Sequence, residues 1–231
     1  MHFISAIRGS NREGDALSKE ELDVDGDGVV SLLDAHTYVR RESVSLDVPT
    51  STSERWLASQ GFPMKPMTVG EVKDPHEKSV LMALSEEGLS LNKAKKMAKA
   101  AEAELQLMDE RLKSAEEGEM AAYRLAAVEL LEKWPVLDDP WHPEFWTAFQ
   151  TNREAIRLHL RESKVYAQYE TAMMRRNEVM MAWEQRMVSS ARVFRIHRAL
   201  QHASRLDALE DSTPEIKRIY KALRDCENSA L

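Results

Sequence analysis

The chain has 231 residues, of which 31% are charged and only 6% aromatic, and a formal net charge of −7. That length suffices for one or two domains with a real core, and the acidic balance argues against nucleic-acid binding over the whole surface. High charge with few glycines and prolines points to long helices with wet faces. Cys226 is the single cysteine, so an internal disulfide is excluded. No stretch reaches the roughly 20 apolar residues of a membrane span. Met1 to Ser10 lacks the cationic and long apolar regions of a secretory signal. The expectation is a soluble, cytoplasmic protein.

In chain order, Phe3-Ile4-Ser5-Ala6-Ile7 reads as a short strand ended by Arg8-Gly9-Ser10-Asn11. No later segment alternates with period two, and a lone strand is unstable. It is therefore expected to be the remnant of a sheet whose other strands lie outside this sequence, or to pair between chains. Ser18 and Glu21 form a capping box for a helix of about one turn.

Next comes Asp23-Val24-Asp25-Gly26-Asp27-Gly28-Val29-Val30-Ser31-Leu32-Leu33-Asp34. Asp23, Asp25 and Asp27 occupy loop positions one, three and five, and Gly28 sits at six, where the backbone turns sharply. Val29 offers its carbonyl at seven, Ser31 acts directly or through water at nine, and Asp34 closes at twelve. Six oxygen donors in twelve residues suit a hard cation, and Ca²⁺ is the cofactor this spacing implies. The competing reading is an Asp/Gly-rich turn ahead of a helix. The exiting helix runs from Ser31 to about Arg41, with Leu32, Leu33, Ala35, Tyr38 and Val39 apolar. The loop resembles those of EF-hands and, with Asp at position twelve, those of dockerins. No second loop accompanies it, so a structural role is expected rather than a sensor.

Ser51-Thr52-Ser53-Glu54 opens a helix to about Gln60, and residues 61–73, with Pro63 and Pro66, read as linker. Asp74-Pro75-His76-Glu77 starts another helix that Gly88 ends. From 90 to about 133, Leu91, Ala94, Ala98, Ala101, Leu105, Met108, Leu112 and Ala115 alternate steps of three and four, the spacing of a coiled-coil seam. A corner from Trp134 to Trp146 holds three tryptophans and three prolines. Packing as a helical cap is expected there, with a binding knob as the alternative. Thr151-Asn152-Arg153-Glu154 reads as a capping box for a helix to about Glu162. From 164 to 208, Tyr166, Tyr169, Met173, Met180, Trp183, Met187 and Phe194 repeat the rhythm, with Arg176 and Ser190 at two polar seam positions. Small residues in one seam and large ones in the other predict interdigitation in an antiparallel hairpin. Thr213-Pro214-Glu215 starts a closing helix.

The fold class is therefore mainly α: one EF-hand-like calcium loop, a long antiparallel helical hairpin of coiled-coil type, and at most one short N-terminal strand. The expected divisions are 1–60 (strand and loop segment), 61–89 (linker and short helix), 90–208 (hairpin, tip 134–163) and 209–231 (closing helix). No enzyme is expected. The histidines make no zinc spacing, Met173, Met174, Met180, Met181 and Met187 read as packing, and phosphate loop and nucleophile elbow are both missing. Lys93, Lys95, Lys96 and Lys99 share one end of the hairpin with Arg192, Arg195, Arg198 and Arg205. That basic end reads as a solvated face or as docking onto the acidic loop segment, with polyanion binding the minority reading. Nucleic acid and membrane are not expected partners. A protein partner is, and two copies pairing into a homodimer is a further option.

Phe3-Ile4-Ser5-Ala6-Ile7-Arg8, followed by the aspartate loop running into Val30-Ser31-Leu32-Leu33-Asp34-Ala35, resembles the end of bacterial caspase-fold peptidases of the legumain-like group. The resemblance covers about the first 45 residues. It implies an upstream peptidase-like domain as partner, with this chain as the post-catalytic portion. The family's catalytic His and Cys lie upstream of such a strand, so neither is carried onto a residue here.

The seam yields a direct test. Ala101→Trp is expected to overpack it and cost about 1–3 kcal/mol, whereas Glu102→Ala, one step off, is expected to cost under about 0.5 kcal/mol. Urea denaturation of the two variants checks both values.

Overall fold

The computed structural model describes residues 2–11 and 14–229. The helices among them are α1 (His2–Arg8), α2 (Lys19–Leu22), α3 (Leu32–Glu42), α4 (Thr52–Ser59), α5 (Pro75–Leu84), α6 (Leu91–Lys133), α7 (Phe145–Glu162), α8 (Lys164–Leu209) and α9 (Pro214–Glu227). The described residues form no sheet; strand-like pairing is confined to the isolated bridges Ser10–Ala16 and Thr68–Ser90. The mainly helical class and the α6–α8 hairpin are as the sequence reads. Among the described residues, no helix is long and apolar enough to cross a membrane.

The expected strand at Phe3–Ile7 is corrected: these residues lie in α1. A lone strand leaves its backbone groups without partners, whereas the seven-residue helix pairs some of them internally. Gly9 closes α1 at φ +66°, with Ser10 N donating to the Ser5 carbonyl at 3.1 Å. Ala6 is buried against Ala35 and Tyr38 of α3, and Phe3, Ile4 and Ile7 face solvent.

The chain divides into two compact units, Met1–Ala103 with Met187–Leu231, and Glu104–Arg186. In the first, Met67, Val69, Val72, Val80, Leu81, Leu89, Leu91 and Ala94 pack on Ile196, Ala199, Leu200 and Ala203 of α8. Residues between Met67 and Leu89 thus supply part of this core, and a 3₁₀ turn at Val69–Glu71 carries one of them inward. A second cluster joins Leu57, Leu209 and Tyr220, with Trp56 and Ile216 against it. A carboxylate in the middle of this unit is held by an arginine and a histidine. Glu77 of α5, 1% exposed, receives both Arg40 amino groups of α3 at 2.7 Å and lies 2.8 Å from His202 Nδ1 of α8. Burial alone raises the Glu77 carboxyl, but Arg40 and His202 hold it well below the usual carboxylate range.

In the second unit the two long helices run antiparallel. Glu104, Asp109 and Glu119 of α6 meet Arg186, Trp183 and Arg176 of α8 in reverse order, and Tyr123 stacks edge-on to Tyr169. The α6 seam positions from Leu91 to Leu105 are buried, and Met108, Leu112 and Ala115 are half-buried. Two tip expectations are corrected. Trp141 is 92% exposed and Trp146 66%, so neither packs as a cap. Instead, Phe145, Trp146 and Phe149 meet along α7, because Phe149 lies four residues after Phe145 and three after Trp146, the two spacings that share one side of a helix. That stacking also starts α7 at Phe145, six residues before the predicted box at Thr151, which lies inside the helix.

Glu77→Gln is expected to cost about 3–5 kcal/mol, because it leaves the Arg40 charge buried without its anion, while Arg40→Met combined with Glu77→Leu is expected to cost less. The carboxyl sits below its ordinary 4.5 in the folded protein. Its contribution is therefore complete above that pH and is lost as the pH falls below it. Urea midpoints from pH 7 to pH 3 check this; the Gln variant lacks that part of the acid loss.

Candidate metal centre

The twelve-residue loop closes on itself through its own aspartates. Gly28 N donates to Asp23 Oδ2 at 2.9 Å, Asp27 N to Asp25 Oδ1 at 3.3 Å, and Val29 N to Asp27 Oδ1 at 2.7 Å. Gly26 and Gly28 hold φ of +73° and +85°, the left-handed turns that bend the chain around a centre. Carboxylate oxygens of Asp23, Asp25 and Asp27 converge within 4.8 Å of one another. Asp23 Oδ1 is buried and has no hydrogen-bond partner. Like charges this close repel, so the loop geometry stores electrostatic work that a cation would release.

The remaining predicted donors are placed differently. Asp34 is 1% exposed and its carboxylate already accepts three hydrogen bonds, from Val24 N at 3.0 Å, Ser31 N at 2.8 Å and Ser31 Oγ at 2.6 Å. Ser31 caps α3 by accepting from Asp34 N, so the two residues form a reciprocal capping box under the loop. The structure thus brings Asp23, Asp25 and Asp27 together, leaves Val29 at the exposed rim, and holds Ser31 and Asp34 behind the triad.

Sequence reasoning missed His76. It lies on α5, the second residue of that helix, and is 1% exposed. Its Nε2 is 3.7 Å from Asp25 Oδ2 and its Nδ1 is 3.8 Å from Asp34 Oδ1. Thr37 Oγ1 stands 3.1 Å from Nδ1. Burial, followed by the charge of Arg224, lowers the His76 pKa, against the opposing pull of Asp74, Asp34 and Asp25. The only local signal was Thr37 following Asp34 by three residues, which puts both on one side of α3.

At the basic end of the hairpin three arginines are engaged, and Lys93, Lys95, Lys96 and Lys99 are exposed. Arg195 is 2% exposed and donates to the Ser45 carbonyl, Arg192 donates to the Leu84 carbonyl, and Arg198 pairs with Glu54 at 2.6 Å. These arginines join Ser45, α4 and α5 to α8; the acidic side chain met is Glu54, outside the aspartate loop.

No protein-family model, curated protein or solved structure matches the chain.

Gly28→Ala introduces no clash, but it places a Cβ at φ +85°. It is expected to cost about 1–2 kcal/mol. Gly88→Ala, equally free of clashes and with no positive φ, is expected to be neutral or stabilising by up to about 1 kcal/mol. Thermal unfolding of both variants separates strain from space.

Proposed function

We propose that this protein is a calcium-stapled, non-enzymatic helical module that engages a protein partner through its hairpin. The observation that carries the metal reading is the buried, unpartnered Asp23 Oδ1 at the edge of a converged Asp23–Asp25–Asp27 triad. Hard carboxylate oxygens on a preformed turn fit Ca²⁺. Asp23 Oδ1, the Asp25 and Asp27 carboxylates and the Val29 carbonyl would hold the ion. Ser31 would act through water, and Asp34 would join by releasing Val24 N. When bound, the ion neutralises the triad and fixes the segment between α2 and α3.

The interaction reading is supported by the second unit, where Met120, Tyr123, Leu125, Val128, Leu158, Met174 and Met181 are exposed. Among its described residues, the buried apolar ones are Leu105, Ala126 and Ile156. Exposed apolar surface on that scale suits a protein partner.

Calorimetric titration tests the metal reading. The native chain is expected to bind Ca²⁺, and Asp23→Ala with Asp27→Ala is expected to abolish binding; equal binding by both removes the loop from the reading. At about 100 times the dissociation constant, the ion is expected to add about 2.7 kcal/mol of stability. Far-UV helicity is expected to change little, because the α3 cap is already made; a large gain would mark a switch instead.

A further inference from the structure

A nitrogen donor faces the acidic loop from outside it. The 3.7 Å between His76 Nε2 and Asp25 Oδ2 exceeds a hydrogen bond, and Nε2 is buried with no partner. On the opposite side of the ring Thr37 Oγ1 lies 2.8 Å from the Leu33 carbonyl and 3.1 Å from His76 Nδ1, and the direction of the second contact depends on the tautomer. In the tautomer in which Thr37 donates to Leu33 and accepts from Nδ1–H, Nε2 turns a lone pair toward the carboxylate. A buried nitrogen lone pair facing a carboxylate is unfavourable unless a positive centre lies between them. An imidazole with its far N–H anchored and its near nitrogen free is oriented as a metal ligand. Asp34, 3.8 Å from Nδ1, adds negative charge behind the ring.

We propose that His76 Nε2 and Asp25 Oδ2 are two ligands of a site for a borderline divalent cation of the Zn²⁺ or Mn²⁺ class. This rests on the acidic loop being a cation site and extends the range of ions it takes. With bonds of about 2.1 Å to each atom, the 3.7 Å separation closes on an N–metal–O angle of about 124°, between tetrahedral and trigonal. Asp25 is the carboxylate shared by both ion classes, and water fills the positions left open. Ca²⁺ takes oxygen ligands, so an imidazole adds little for it, whereas Zn²⁺ and Mn²⁺ accept the nitrogen. Thr37 is a positioning residue, holding the ring through Nδ1.

The test titrates the full chain with Zn²⁺ and, separately, with Ca²⁺. His76→Gln removes a ligand and is expected to weaken Zn²⁺ by at least about 100-fold, beyond the roughly 10–100-fold range for losing an outer-shell partner, and to leave Ca²⁺ within about threefold. Asp27→Asn is expected to do the reverse, and Asp25→Asn to weaken both. Unchanged Zn²⁺ affinity in a His76→Gln protein of native circular dichroism overturns the proposal. A second measurement needs no His76 variant: pulsed EPR of the Mn²⁺-loaded native chain is expected to show coupling to a directly bound nitrogen. No coupling, or coupling that persists in Asp25→Asn, overturns the proposal and leaves an imidazolium–carboxylate contact or another histidine as the explanation. The two readings fail separately. Zn²⁺ bound without Ca²⁺ sinks the calcium staple alone, Ca²⁺ bound without Zn²⁺ or Mn²⁺ sinks this proposal alone, and binding of none sinks both.

Discussion

A carboxylate removed from water must have its charge answered by groups already in place, and here that group is Glu77. Arg40 reaches it from α3 with both amino groups, and His202 reaches it from α8. Three segments far apart in sequence therefore meet at one point, each carrying a polar atom whose desolvation is compensated only in that arrangement. Apolar contacts between Val80, Leu81, Ala199 and Leu200 supply non-directional attraction around it. The ion network adds direction, since a helix rotated by one residue would leave a buried charge unanswered.

The loop hangs on the same device. Asp34, Thr37 and Arg40 recur every three residues on the inner side of α3 and meet His76 and Glu77, consecutive residues at the start of α5. Anything that reshapes the Asp23–Asp34 segment is thus in mechanical contact with the centre of the first unit through one helix and one ring. Asp74 strengthens the arrangement twice: it caps α5 by accepting from Glu77 N and pairs with Arg224 of α9 at 2.9 Å.

The parts legible in the sequence are those set by local chemistry. Ser18, Ser51, Asp74 and Thr213 were readable as helix starts because their side chains satisfy a backbone N–H three residues on, and each does so. Ser51 lacks the return bond of a full box because Glu54 turns to Arg198. The alternating steps of three and four mark the hairpin faces, since helical period alone decides which residues turn inward. Asp23, Asp25 and Asp27 were legible because their spacing is the geometry. What escaped is set by distant partners. His76 meets the loop across an interval of about 50 residues, with no periodicity to announce it. Phe3–Ile7 has strand-like composition, yet without partner strands it coils. The tryptophan-rich corner followed the general tendency of indoles to be buried, but no neighbouring layer covers Trp141 and Trp146 there.

The placement of the indoles also decides what light can report. Of the five tryptophans, Trp134, Trp141, Trp146 and Trp183 lie in the hairpin unit, and Trp56 alone lies in the unit that carries the loop, 6.4 Å from the ring of Tyr220. An indole surrounded by water emits at longer wavelength and yields to aqueous quenchers. The red edge of the emission therefore belongs to the tip, and its quenchable fraction to Trp141 and Trp146. Trp56, Trp134 and Trp183 are half-buried and share a bluer, less quenchable component. The red edge thus follows the tip, and the bluer component mixes Trp56 of the first unit with Trp134 and Trp183 of the second.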